Sequence, residues 1–102
     1  MRRIRRSLSF AEAFENLLEQ GLPVFGYEVI EDKRAKVEDT IRRFLVAHPV
    51  RPVDPILGLF TYAVTDTPFV LLYDFDDAEL RIHLIVHGRA DRRIIDLSAV
   101  VW

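Results

Sequence analysis

The sequence predicts an α+β fold of a first strand, a helical hairpin and then a three-stranded antiparallel meander, one sheet packed on two helices, in a single domain over residues 1–102. Three observations carry this. Apolar residues recur at helical spacing through residues 11–47, a proline-rich stretch then breaks the pattern, and three apolar or alternating segments follow with hairpin-length connectors between them. With 102 residues, 50% of them apolar and 29% charged, the chain can bury about two-thirds of its unfolded surface in one core.

Over Arg3 to Phe10, the apolar residues Ile4, Leu8 and Phe10 alternate with polar positions, the period of a half-buried strand; Arg6 shares their parity and is placed at the strand's edge. Ser9 or a residue beside it then caps a short helix through Gln20, with Ala11, Phe14, Leu17 and Leu18 on one stripe, and Gly21-Leu22-Pro23 ends it. From about Val24 to Ala47 the helical pattern resumes through Ile30, Val37, Ile41, Phe44 and Leu45, giving a long helix antiparallel to the first. The acidic outer face of this hairpin reads most simply as a solvated surface. His48 to Gly58 carries Pro49, Pro52, Pro55 and Gly58 and is an extended loop. Leu59 to Thr65, Phe69 to Phe75 and Glu79 to His87 are the meander strands, and Ile94 to Trp102 packs as a short strand or one helical turn.

No cysteine is present, which excludes disulfide frameworks and thiolate chemistry and fits a reducing cytosol. The basic start Met1 to Arg6 is followed by no apolar stretch of signal-peptide length, and no apolar run reaches the ~18 to 20 residues of a bilayer span, so neither export nor a membrane is expected. The formal net charge is -2, but its distribution is uneven: four Arg and no acid in residues 1–10, an acidic helical region, and a basic turn after residue 80.

Strand alternation in Glu79 to His87 places Leu80, Ile82, Leu84 and Val86 on one face and Arg81, His83 and His87 with Ile85 on the other, followed by Arg89, Arg92 and Arg93. Such a surface can contact phosphate or nucleic acid, with an imidazole moving a proton and Arg stabilising developing charge. It can equally be a solvated face, with Arg81 and His83 paired to Asp74. His83 and His87, four apart on a strand, are separated by about 13 Å at ~3.3 Å per residue and cannot share one metal ion. Asp74, Asp76, Asp77 and Glu79 lack the spacing and glycine of a calcium loop and read as turn chemistry. Phe25, Phe60, Phe69, Tyr73 and Phe75 are assigned to the core, Tyr62 to a half-buried strand, and Trp102 either to a partner anchor or to a plug over the sheet. No metal site and no cofactor are expected.

The strand Phe69 to Tyr73, the strand Leu80 to Val86 and the following segment His87 to Arg93, in this order of elements, resemble the RelE/ParE toxins of bacterial type II toxin–antitoxin systems. The resemblance implies a cytoplasmic growth-inhibiting toxin neutralised by a cognate antitoxin. It also implies one of two targets: messenger RNA in the ribosome, cut by the RelE-like branch, or DNA gyrase, blocked by the ParE-like branch without catalysis. Arg89 matches the basic residue after the last strand. Val70, however, stands where the RelE-like pattern has Arg, and the tail ends in Ser98 to Trp102 without a tyrosine. The ParE-like reading is therefore preferred, with Arg81, His87, Arg89, Arg92 and Arg93 as the binding surface. A metal-independent ribonuclease would have to use His83, His87 and Arg89, with Arg81 beside them. A relative that binds a partner without toxicity is the third reading. The basic termini of the sheet and an unpaired sheet edge suit an acidic, extended antitoxin segment.

Overall fold

A computed structural model describes residues 1–102. Strand β1 (Arg3–Arg6) leads into α1 (Leu8–Phe25) and α2 (Tyr27–Asp39), which continues as a π-helical segment over Thr40–Leu45. Strands β2 (Phe60–Ala63), β3 (Phe69–Phe75) and β4 (Glu79–His87) follow, then short 3-10 turns at Arg92–Ile94 and Leu97–Ala99. The sheet order is β1-β4-β3-β2. The meander β2–β3–β4 pairs antiparallel as predicted, and β1 lies parallel to the outer side of β4. No helix is long and apolar enough to cross a membrane.

The helices cover one face of the sheet. Phe10, Phe14 and Leu18 of α1, Ile30 and Val37 of α2, and Ile41 and Leu45 of the π-helical segment meet Phe69, Leu71 and Tyr73 of β3 and Leu80, Ile82 and Ile85 of β4. Tyr73 is fully buried and its hydroxyl donates to the Pro49 carbonyl at 2.8 Å, so the proline loop is anchored to the core by the one polar atom of that side chain. Burial pushes the Tyr73 phenol up to about 12.

Three predicted boundaries move. The first strand stops at Arg6, because Ser7 caps α1: its Oγ accepts the Phe10 N–H at 2.8 Å and donates to the His83 carbonyl at 2.6 Å. Leu8 to Phe10 therefore belong to the helix: Phe10 opens its buried stripe with Phe14 and Leu18, whereas Leu8 is exposed. The first helix also runs through Gly21-Leu22-Pro23. Pro23 sits in its last turns, and the stop is Gly26, whose φ of 82° and ψ of 166° lie in a region open essentially to glycine alone. The β2 strand is shorter than Leu59 to Thr65, ending at Ala63.

The fourth difference matters most for function. Between Leu72 and Tyr73 the β3–β4 register shifts, Leu72 facing Leu84 and Tyr73 facing Ile82, so His83 is left as the extra residue of a bulge. Beyond it the parity reverses. Ile85 joins Leu80 and Ile82 on the helix face, while Leu84 and Val86 turn to the other face with Leu72 and Val70. Leu72 is nonetheless fully buried and Val70 is 9% exposed. The cover on that side comes from the proline loop and the C-terminal tail, which are tied together by Arg92 and Asp54 (Nε to Oδ2, 3.5 Å). The tail then returns to α1 through a Val101 N–H bond to Ser9 Oγ at 2.8 Å, with Ile95, Leu97 and Val100 half-buried along the way. It forms two 3-10 turns rather than a strand or helical turn alone.

Candidate functional site

The predicted basic surface lies along β4 and just after it, and its members have different fates. Arg81 is surrounded by carboxylates: Nε donates to Asp74 Oδ1 at 2.7 Å, and one terminal nitrogen donates to Asp76 Oδ2 at 2.9 Å and Glu79 Oε1 at 3.0 Å. These bonds raise the Arg81 pKa. The Arg81 bond, with the backbone N–H groups of Glu79 and Ala78, holds Asp76 down at about 2. Three of the four acids considered as a cation cluster, Asp74, Asp76 and Glu79, thus converge on the Arg81 guanidinium. His83 sits on the same face, away from the helices. Its Nε2 is 3.2 Å from Asp74 Oδ1, and its ring meets the edge of Trp102 at a centroid distance of 4.7 Å. Arg5 lies over Trp102 at 4.9 Å, so this ring, 37% exposed, packs the end of the tail against the sheet between Arg5 and His83.

His87 and Arg89 form a different environment. Because the bulge reverses the parity, His87 comes to the helix face at the end of β4, separated from His83 by the sheet as well as by length. Its Nδ1 accepts the Arg89 N–H at 3.1 Å, which leaves Nε2 free at an exposed position. The Gly88 N–H donates to the Pro68 carbonyl at 2.8 Å and fixes this turn against the β2–β3 connector. The Arg89 side chain is exposed and enters no ion pair. Together they border an open groove of about 520 Å³ whose other walls include Ala63, Thr67, Pro68 and Val70.

A second groove, of about 290 Å³, adjoins the first and shares Pro68, Phe69 and His87 with it. Leu17 and Gly21 of α1 and Ile30 and Lys33 of α2 line its helical side, together with Phe25. The hairpin tip continues this apolar surface outward: Val24 is 74% exposed, Tyr27 69% and Phe25 55%, with Leu22 and Val29 also exposed. Phe25 therefore departs from its predicted place in the core. The sequence signal was available, since Val24-Phe25-Gly26-Tyr27 puts three large apolar residues around a helix-ending glycine, more than a turn needs.

Arg92 is a structural tie, its side chain 15% exposed and engaged with Asp54 and the Ala90 carbonyl. Arg93 is exposed but folds back onto Asp91 through two bonds of 3.0 Å. Tyr62 packs on Phe44 at 5.3 Å beneath the Arg51 guanidinium. Of the residues predicted for catalysis or binding, only His87 and Arg89 are brought together with their polar ends free. The pair offers one imidazole and one guanidinium beside an apolar trough, which suits an anionic group on an apolar segment. A second acid or base is not placed with them, His83 being on the far face.

No family model matches the chain, and no curated protein does. Among solved structures, the chain is similar in fold to one described as the chromosomal ParDE TA system from P. aeruginosa, with a TM-score of 0.65 and 16% identity over 85% of this chain and 96% of that one. The strand, helix, helix, strands order is common to both, and the likeness is one of fold.

Proposed function

We propose that the chain is the toxin of a type II toxin–antitoxin pair, of ParE-like type, inhibiting growth by binding an essential target such as DNA gyrase and neutralised by a cognate antitoxin. The observation that carries this reading is the fold shared over 85% of the chain with a member of a ParDE system, together with a free His87–Arg89 pair at the rim of an apolar groove. The groove and its cations, Lys33 on one side and Arg89 on the other, suit an antitoxin segment that is amphipathic and acidic. The same groove rim is the surface offered to the target.

The dispersal of the histidines favours binding over catalysis. Metal-free cleavage of a phosphodiester needs a base, an acid and a cationic clamp about one phosphate. Here Arg81 is neutralised, His83 is wedged between Asp74 and Trp102 on the other face, and Val70 supplies an apolar wall beside His87. Induction of the chain without its partner is expected to arrest growth with gyrase-type DNA damage and intact messages. Cleavage of messages at a defined codon position in the ribosome would instead establish the ribonuclease alternative, and harmless induction would establish a partner-binding relative without toxicity.

A further inference from the structure

We propose that Arg51, in the proline loop, anchors a small-molecule site that takes a phosphate, either free or as a monoester. Six arginines of the chain are half-buried, and five of them find an acceptor within it. Arg2 bonds to the Asp76 carbonyl, Arg6 to Glu38, Arg34 to Glu15, Arg81 to Asp74 and Arg92 to the Ala90 carbonyl. Arg51 has no such partner: its Nε is buried without a hydrogen bond, and no carboxylate pairs with its guanidinium. A half-buried cation left without a counter-charge is costly, which points to an acceptor from outside the chain.

Two aromatic rings hold Arg51 in place. Its guanidinium lies over Phe44 at 4.6 Å and over Tyr62 at 5.2 Å, and these rings are themselves 5.3 Å apart. Such a shelf stabilises the cation through the ring faces and leaves the edge of the guanidinium plane unused. Only Nε is enclosed, so the two terminal nitrogens reach the surface unbonded, as a fork that matches two oxygens of a phosphate. Phe44 belongs to the π-helical segment Thr40–Leu45, an uncommon geometry that recurs at functional sites. Phe44 and Tyr62 also wall an open groove of about 340 Å³ with Lys36, Thr40, Arg43 and Asp66. There Lys36 is paired with Asp32 at 2.8 Å and Arg43 with Asp39 at 3.1 Å, which leaves Arg51 as the unpaired cation. One unpaired cation near Asp39 and Asp66 suits a compact anion and disfavours a long polyanion such as a nucleic-acid strand. A phosphate is favoured over a carboxylate because, once two oxygens meet the guanidinium, others remain for the donors of the groove.

The site stands apart from the groove at His87 and Arg89 and does not depend on the toxin reading. Its test is titration of the intact chain with inorganic phosphate, ribose 5-phosphate, ribose and acetate at constant ionic strength, following the ring-proton NMR signals of Phe44 and Tyr62. Both phosphates are expected to give saturable shifts in the millimolar range, and ribose and acetate little. Equal affinity for the two assigns the site to free phosphate, whereas tighter binding of ribose 5-phosphate assigns it to a monoester whose body enters the groove. Arg51→Gln is expected to weaken binding about tenfold, and Arg51→Lys, which keeps the charge without the fork, to weaken it as well. Arg3→Gln, at an exposed arginine without an ion pair, should leave binding unchanged. No saturation with either phosphate, acetate binding as tightly as phosphate, preference for a single-stranded oligonucleotide, or binding indifferent to Arg51→Gln would overturn the proposal. The shifts are read on the native chain, so they decide the matter even where a variant fails to fold.

Discussion

Arg81 and Arg89 are the same residue type within one short segment, and their surroundings give them opposite uses. Arg89 is free, whereas Arg81 is claimed by Asp74, Asp76 and Glu79. The lowered pKa of Asp76, about 2 against an ordinary 3.8, makes that network a source of stability above pH 4 that is lost as pH falls through 2. Urea unfolding followed from pH 5 to pH 2 is therefore expected to show a steeper loss for the native chain than for Asp76→Asn, which keeps the backbone bonds but not the charge. Substitution of His87 or Arg89 by Ala should leave the urea midpoint within the ~0.5 kcal/mol scatter of surface changes, since neither side chain is buried. From sequence, the local pairing of Arg81 with Asp74 could be weighed, and it is what the structure contains. The Arg92 tie to Asp54 could not, because the partner lies in a distant loop whose path no periodicity describes.

Among the elements, the predicted β3 and β4 boundaries match the structure because their apolar runs are bounded by Pro68 and by the Asp76-Asp77-Ala78 turn. The strand-to-helix junction was displaced because Phe10 fits both the period-two run from Ile4 and the helical stripe with Phe14 and Leu18, and only the Ser7 cap resolves them. Ser7→Ala is expected to cost about 1–2 kcal/mol in chemical unfolding, since it removes the cap and the donor to the half-buried His83 carbonyl, whereas Ser9→Ala should leave the cap intact. Gly26→Ala should cost roughly 1–3 kcal/mol, because a Cβ meets no neighbour there but the backbone angles remain unfavourable. The bulge at His83 was invisible to strict alternation. It reverses the faces of Ile85 and His87, and that reversal brings His87 to the helical groove rather than beside His83.

At the scale of the whole molecule, one face of the sheet is closed by helices and the other by loop and tail, which leaves three outward features: the open β1 edge, the hairpin tip and the groove ending at His87 and Arg89. The order of elements was legible in the sequence, but the placement of β1 against β4 was not, since parallel pairing across two helices leaves no local signature. The apolar tip left a signal in the three large apolar residues around Gly26, but the exposure of Phe25 is decided by where the hairpin turns. On the function proposed above these features serve binding, and the proposed site stands or falls on two exposed side chains. Growth after induction of the native chain, compared with His87→Ala plus Arg89→Ala at equal protein level, tests this most directly. The account predicts arrest by the native chain and growth with the double variant; equal arrest by both, or no arrest by the native chain, would contradict it.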